Sequence, residues 1–564
     1  MSELTPTEDA AYGGRWVALV RGKIVAQGDT REQVFQYAKH SRGKEEAEIR
    51  YIPLMPVASP LLDSISAVIP TSESVYLVGG AVRDAVLGRV THDLDFSCAN
   101  GLKLAKKVAD GLGAAFFPMD ETFDTGRVIL QFPDGGREIL DFAGYRGDSL
   151  ESDLCARDFT INAVAMNMKN GEIIDPLGGV KDIREKRIRV CSETALNSDP
   201  VRILRAVRQA AAFGFTIDPD TRKLMKEAVA LLPNISPERL RDEIFKMLEG
   251  PKPDAAMRAL EILGVFPYIL PELPLLKGVE QSAPHVHDVW THTLAVLRHL
   301  AGILEVLSPE YNELRANKDL MNGLVSLQLG RYREQINSHL GSTLNADRSA
   351  RAILFFAALY HDVNKPQTKT TEENGRIRFL GHDDLGAKTA IRRGTEFHLS
   401  NVELERLGLI IKHHMRVHAQ TSRKIAGHDI SRRAIYRFFR DSGQAGIDLI
   451  LLSLADTRAT YDHNLTHEHW SATLDVCRTL LEAWFEKPDE LIRPPALLNG
   501  NDLINELKQK PGPEIGKLLE AIRESQASGK ISTREEAFAF SRGWLAKLRE
   551  PGNGVEGNKL DRKI

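Results

Sequence analysis

The run Val78-Gly79-Gly80-Ala81-Val82-Arg83-Asp84, followed closely by Asp93-Leu94-Asp95-Phe96, constrains this chain more than any other stretch. The apolar residues 74–78 predict a buried strand, and Gly79 and Gly80 let the backbone turn sharply with bare N–H groups facing outward. Residues 81–87 predict a helix. Orphan N–H groups and the positive end of the dipole meet at its start, so the turn is a ready anion site, and Arg83 adds a charged fork suited to phosphate.

The acidic pair supplies complementary chemistry. Residues i and i+2 of a strand project to one face, so Asp93 and Asp95 stand side by side while Leu94 points into the core. Two adjacent carboxylates repel, and a hard divalent cation such as Mg²⁺ relieves that repulsion while sharing phosphate oxygens. Alone, an Asp-x-Asp strand fits a solvated sheet edge equally well. Behind a Gly-Gly turn it points to a nucleotide-handling site and to metal-assisted phosphoryl transfer.

A formal net charge of -3 over 564 residues excludes a uniformly basic nucleic-acid coat, so any RNA contact must come from local patches. Residues 181–189 form one basic run, and Arg432, Arg433, Arg437 and Arg440 with interleaved aromatics form another. Either run also fits a solvated helix face. Cys98, Cys155, Cys191 and Cys477 lie far apart, without zinc-knuckle or disulfide spacing. Residues 1–10 lack a signal-peptide pattern, and no apolar stretch is long enough to span a bilayer, so a cytoplasmic location is expected.

The length predicts several domains. Residues 1–52 form a small N-terminal module of unknown role, a hairpin plus helix, followed by a proline-marked linker at 53–60. Residues 61–190 form a head mixing strands (75–78, 94–97, 127–132 and 138–142) with helices, giving an α+β class. Helical periodicity dominates from 191: a neck at 191–265 with helices at 199–213 and 237–248, a body at 266–475 with a polar insertion near 308–349, and a tail at 476–564. Residues 375–381 read as a short extended piece, and 552–564 as disordered.

Three further motifs follow in order: Arg157-Asp158-Phe159-Thr160-Ile161-Asn162-Ala163, Asp175-Pro176-Leu177-Gly178-Gly179, and Asp199-Pro200-Val201-Arg202-Ile203-Leu204-Arg205. Together with the first two, and spanning about residues 75–250, they resemble the class II tRNA nucleotidyltransferase and bacterial poly(A) polymerase family. That resemblance implies a polymerase-beta-like head, catalytic Asp93 and Asp95 holding Mg²⁺, and a third carboxylate for which Asp141 is the candidate and Glu138 the alternative. It implies a nucleotide site at Gly79, Gly80, Arg83, Arg157, Asp158, Asn162, Asp199, Arg202, Arg205 and Arg208. Arg157 would meet the triphosphate, while Asp158 and Asn162 would hold ribose hydroxyls or brace the turn.

Asp199, Arg202, Arg205 and Arg208 recur every third residue, so on a helix they form one slanted polar stripe. The resemblance implies that this stripe selects CTP or ATP by imitating a Watson–Crick partner; a surface charge face is the other reading. Family members usually carry a basic residue where this chain has Ala156 and Glu where it has Ser198. Arg239, Glu243 and Lys246 match a later motif that looks structural.

His292, His361-Asp362 and Asp456 follow the order of HD phosphohydrolases, and His382 and the pair His413-His414 lie between them. The expected ligand set is His292, His361, Asp362, His382, His413 and Asp456, and such N and O donors suit Mn²⁺, Fe²⁺, Ni²⁺ or Zn²⁺. Lys365 could bind a phosphate there. The reading is therefore untemplated addition of CCA to tRNA from CTP and ATP, possible phosphohydrolysis in the HD domain, no membrane partner and an oligomeric state left open. Poly(A) or A-only addition on the same head is the near alternative, and an HD phosphohydrolase with an RNA-binding head the distant one.

Overall fold

A computed structural model describes residues 12–13, 15–28, 30–42, 46–52, 60–89, 93–122, 124–132, 136–311, 319–345 and 348–549. The expected linker at 53–60 and tail at 552–564 lie essentially outside them. Two compact units are present, one of residues 1–243 with 262–269 and one of 244–261 with 270–564. No helix among the described residues is long and apolar enough to cross a membrane.

In the first unit, β1 (Arg15–Val20) pairs antiparallel with β2 (Lys23–Gly28) and, on its other side, with β3 (Glu48–Ile52). The expected hairpin plus helix therefore gains a third strand, which the alternation of Ile49 and Tyr51 with Glu48 and Arg50 could have signalled. The Arg31–Arg42 helix covers one face through Val34 and Ala38 against Ala18.

The head is a seven-stranded mixed sheet. Its strands are β4 (Val75–Val78), β5 (Asp93–Cys98), β6 (Ala115–Asp120), β7 (Thr125–Gln131), β8 (Arg137–Gly144), β9 (Ala165–Asn167) and β10 (Ile173–Ile174), in the order β10-β9-β4-β5-β8-β7-β6. Only β5 and β8 run parallel. Leu94, Phe96, Leu140 and Phe142 bury one face of these two central strands, with the Phe96 and Phe142 rings stacked at 4.6 Å. Helices Pro60–Val68 and Gly101–Leu112 pack on this face. By strand alternation the opposite face of β5 carries Asp93 and Asp95.

The Asp175-Pro-Leu-Gly-Gly motif is architectural. Asp175 caps the Gly179–Arg184 helix, accepting from the Gly179 and Val180 backbone N–H at 2.7 and 2.9 Å. A Cβ on Gly179 would collide with the Thr160 carbonyl, and the Thr160 hydroxyl donates to Asp182 at 2.7 Å. This packing fixes the 157–163 loop.

The second unit is nearly all helical. The Ala350–Tyr360 helix is buried on every side except Arg351, as its apolar sequence requires. Around it lie helices Val289–Val306, His382–Glu396, Asn401–His413 and Ala445–Tyr461. The 308–349 insertion contributes helices Leu320–Leu329 and Arg333–Gly341. Residues 375–381 contain the strand Ile377–Phe379, which pairs antiparallel with Lys369–Thr371. The arginines of the Arg432–Ser442 helix are engaged within the protein: Arg433, Arg437 and Arg440 converge on Glu524, and Arg432 meets Glu490. Helices Gly500–Glu506, Pro513–Ala527 and Arg534–Arg549 close a small core of their own.

Candidate functional site

Strand register brings the acidic residues together. Asp95 on β5 pairs with Asp141 on β8 in parallel register, so the two carboxylates stand side by side with Asp93 one step along β5. Glu138 has the opposite parity on β8 and belongs with Leu140 and Phe142 on the core face, which removes it as the alternative third acid. Arg127, across from Asp141 on β7, donates to both of its carboxylate oxygens at 2.8 Å. Burial first, then the Asp141 charge, raises the Asp95 carboxyl above the ordinary Asp range; Asp93 adds to this, and Arg157 and Arg127 oppose it.

Beside these acids lies a cavity of about 470 Å³ lined by Gly79, Gly80, Asp95, Asp158, Asn162, Asp199, Gln209, Phe213 and seven arginines: Arg83, Arg146, Arg157, Arg202, Arg205, Arg208 and Arg239. Gly79 has φ +70°, and a Cβ there would approach Arg157 Nη1 at 3.2 Å and Asp95 Oδ2 at 3.5 Å. Glycine is required here by conformation, and a Cβ would also crowd the Arg157 guanidinium. Arg83 is held by Asp84 and by the Asn162 side-chain oxygen at 2.7 Å, and its guanidinium lies 4.4 Å over the Phe213 ring.

Asp158 is buried and accepts from the Phe159 N–H, the Asn162 amide and the Arg205 guanidinium. Burial pulls its carboxyl upward, but Arg205 and these hydrogen bonds outweigh burial and hold it below the usual range. The stripe is thus satisfied from within: Arg205 by Asp158, Arg208 by Glu243 at 2.7 Å, and Arg202 by the Ala156, Arg157 and Ala195 carbonyls. Asp199 differs. One oxygen accepts from Arg239 at 2.7 Å; the other, Oδ1, is buried without a hydrogen-bond partner among the described residues.

The second unit assembles two groups of potential metal ligands, His292 with His361 and Asp456, and Asp362 with His382 and His414. Asp362 stands between them. Its Oδ2 lies 3.2 Å from His361 Nε2 and 3.6 Å from His292 Nε2, and its Oδ1 lies 3.5 Å from His382 Nε2 and 3.9 Å from His414 Nε2. His361, His382 and His414 each place Nδ1 2.6–2.8 Å from a backbone carbonyl three residues earlier, so Nδ1 carries the proton and Nε2 presents a lone pair to the cluster. Lone pairs converging without a proton between them fit a shared cation: the His382 and His414 Nε2 atoms lie 3.2 Å apart, while His292 Nε2 lies 3.4 Å from His361 Nε2 and 3.1 Å from Asp456 Oδ1. Burial pulls the Asp362 carboxyl upward, but its neighbours His361 and Lys365 outweigh burial and hold it well below the usual carboxylate range. Lys365 is buried, 2.7 Å from both Asp362 and the Gln281 side-chain oxygen.

Comparison with known proteins places both halves. The poly A polymerase head domain model matches residues 75–149 and 138–189, the RNA- and SrmB-binding site of polymerase A matches 214–276, the HD domain matches 289–459, and a tRNA nucleotidyltransferase domain 2 model matches 494–540. A CC-adding tRNA nucleotidyltransferase of Thermus thermophilus is 31% identical over 86% of this chain and 97% of its own length. The chain belongs to the tRNA nucleotidyltransferase family. An A-adding tRNA nucleotidyltransferase of Deinococcus radiodurans is 30% identical over 86% of this chain and 98% of its own length. The fold is also that of a CCA-adding enzyme solved with CTP, at TM-score 0.55 and 21% identity over 88% of this chain and 97% of that one. The chain is therefore a nucleotidyltransferase carrying an HD domain, two domain types that depend on divalent cations.

The structure departs from the expectations drawn from the sequence in two places. His414, not His413, joins the metal-ligand cluster; consecutive helical residues point about 100° apart, so only one of the pair can face it, and His413 is half-buried elsewhere. Asp199 precedes the Arg202–Phe213 helix in extended conformation (φ −148°, ψ 90°), because Pro200 disfavours helical backbone before it. The stripe therefore consists of three helical arginines plus an acid in the adjoining turn. Ser198 directs its hydroxyl to the Ala195 carbonyl at 3.0 Å.

Not legible as site residues from the sequence were Asp153 and Arg146 in the head, Gln209 and Phe213 in the neck and His418 in the body. Asp153, four residues before Arg157 and bonded to it at 3.1 Å, had an i,i+4 signal; so did His418, four after His414, which meets Asp456 Oδ2 at 2.8 Å. Arg146 and Phe213 had none, since only tertiary folding carries them to the cavity.

Proposed function

We propose that this chain builds the CCA end of tRNA from CTP and ATP without a nucleic-acid template, its head taking Mg²⁺ at Asp93 and Asp95 with Asp141 as the third acid. The observation that carries this reading is the buried, unpartnered Asp199 Oδ1 on the wall of an arginine-lined cavity beside the three acids. An acceptor oxygen there favours a base edge that offers an exocyclic amino group. Cytosine N4 and adenine N6 both do, whereas uracil and guanine present carbonyl oxygens at the corresponding positions. One acceptor thus admits the two bases of CCA and disfavours the other two.

The crowding of Asp93, Asp95 and Asp141 suits a hard cation. When bound, such a cation steadies the charge that develops on the phosphate oxygens as pyrophosphate leaves. The protein's own part is positional. Gly79 and Gly80 allow close backbone approach, while Arg83 and Arg157, immobilised by Asn162 and Asp153, hold triphosphate oxygens. Arg202, anchored on the Ala156 and Arg157 carbonyls, ties the 157–163 loop to the helix behind the base. Asp158 and Asn162 bond to each other and to Arg205 and Gln209, which supports a bracing role for them in preference to ribose contact.

A second reading, addition of CC alone or of A alone, is favoured by the names of the two full-length relatives, to which the chain is about equally similar. For the HD domain we infer binding of Mn²⁺, Fe²⁺, Ni²⁺ or Zn²⁺ by the two histidine-rich groups, where a bound ion would act as a Lewis acid on a phosphate ester. Lys365 would hold that phosphate.

The test offers purified protein tRNA ending at the discriminator base, at C and at CC, with CTP and ATP separately and together. Extension of all three to CCA supports the first reading. Arrest at CC, or extension of only the CC end, supports the second. No extension of any end removes both.

A further inference from the structure

Six of the seven cavity arginines are tied down inside the protein. Arg146 is not. Its guanidinium makes no hydrogen bond among the described residues; its single ionic approach, from Nε to Asp153 Oδ1, is 3.9 Å, and its side chain is 57% exposed. Its position is nonetheless fixed, because its backbone N–H donates to the same Asp153 oxygen at 3.3 Å. Asp153 is 2% exposed and also receives Arg157 at 3.1 Å and the Ser97 hydroxyl at 3.1 Å. One buried carboxylate therefore sets two arginines on the cavity wall, with Arg157 committed to it and Arg146 left with open donors. Arg157 Nε is likewise buried without a hydrogen-bond partner among the described residues.

We infer that Arg146 is a phosphate ligand of the head, reaching the triphosphate of the incoming nucleotide beside Arg157, and that Asp153 is the positioning residue for both. The inference rests on the reading of the cavity as a nucleoside triphosphate site. Arg146 stands in the turn after β8, the strand that carries Asp141, so the same element that places the third acid also places this guanidinium. A planar fork with free N–H donors matches phosphate oxygens, and its exposure leaves it able to swing onto them.

Steady-state kinetics on Arg146→Ala and Arg146→Lys, with nucleotide and tRNA varied in turn, test this. The expected result for Arg146→Ala is a KM for CTP and for ATP raised about tenfold or more, as loss of a charge-assisted hydrogen bond predicts, with kcat and the KM for tRNA changed much less. Arg146→Lys should recover part of the loss. Direct CTP binding to the wild type and to Arg146→Ala, in Mg²⁺ and without tRNA, separates the cases. If the wild type binds no CTP, the triphosphate reading itself fails. If it binds CTP and Arg146→Ala binds equally well, the inference alone fails. A rise confined to the KM for tRNA would overturn it too, since the phosphate would then belong to the RNA. Unchanged thermal melting of both variants shows that the effect is not unfolding.

Discussion

Asp199 keeps one buried oxygen without a hydrogen-bond partner among the described residues, whereas Arg202 gives its donors to backbone carbonyls, and this difference separates their expected roles. Asp199→Ala should reduce discrimination of CTP and ATP against GTP and UTP by about tenfold to a hundredfold, the equivalent of one lost directional bond of roughly 1–3 kcal/mol. Arg202→Ala should instead lower turnover with every nucleotide, because it loosens the 157–163 loop. Competition assays with all four nucleotides measure both, and equal selectivity in Asp199→Ala and wild type would show that the base is read elsewhere. The residue types at these positions were legible in the sequence as a polar stripe. What each bonds to was not, because Asp158, Glu243 and Arg239 reach the stripe only through tertiary packing.

At the scale of elements, the Gly79 turn and the register of β5 on β8 make the head site. The strands at 75–78, 94–97, 127–132 and 138–142 were legible to within two residues at each end, since apolar alternation fixes which face is buried, whereas Ala115–Asp120, Ala165–Asn167 and Ile173–Ile174 were not. The order of those strands was not, and it is the order that sets Asp141 beside Asp95. Gly79→Ala should cost about 1 kcal/mol or more of stability from the positive φ alone, and should raise the nucleotide KM as the new methyl group crowds the Arg157 guanidinium. A variant with wild-type melting and nucleotide affinity would show that the turn tolerates a side chain. In the body, the His-Asp doublet at the end of a buried helix was legible as a ligand pair, but helical phase decided between His413 and His414. His414→Ala should therefore lower transition-metal content and His413→Ala should leave it unchanged, as elemental analysis after loading and desalting will report.

On the scale of the whole molecule, each chemistry is contained within its own compact unit: the carboxylates and arginine-lined cavity in the first, the histidine-rich groups in the second. Asp362, which stands between both ligand groups, is the residue on which metal binding in the second unit should turn most heavily. Asp362→Asn should abolish stable metal binding there while sparing nucleotide addition, and a matching loss of addition would contradict the separation. The motif order had already identified the family. It could not disclose the third strand of the N-terminal module or the way Glu524 engages the arginines of the Arg432–Ser442 helix, since both depend on partners distant in sequence. The central claim is that the acids on β5 serve nucleotide addition to tRNA, and single-turnover extension of a tRNA lacking its 3′ end by wild type, Asp93→Ala and Asp95→Ala tests it most directly. Extension by the wild type is expected, with a fall of at least about a thousandfold in both variants, some 4 kcal/mol of transition-state stabilisation, and with tRNA binding retained. Rates within about tenfold of wild type, a difference of only about 1.4 kcal/mol, would contradict it.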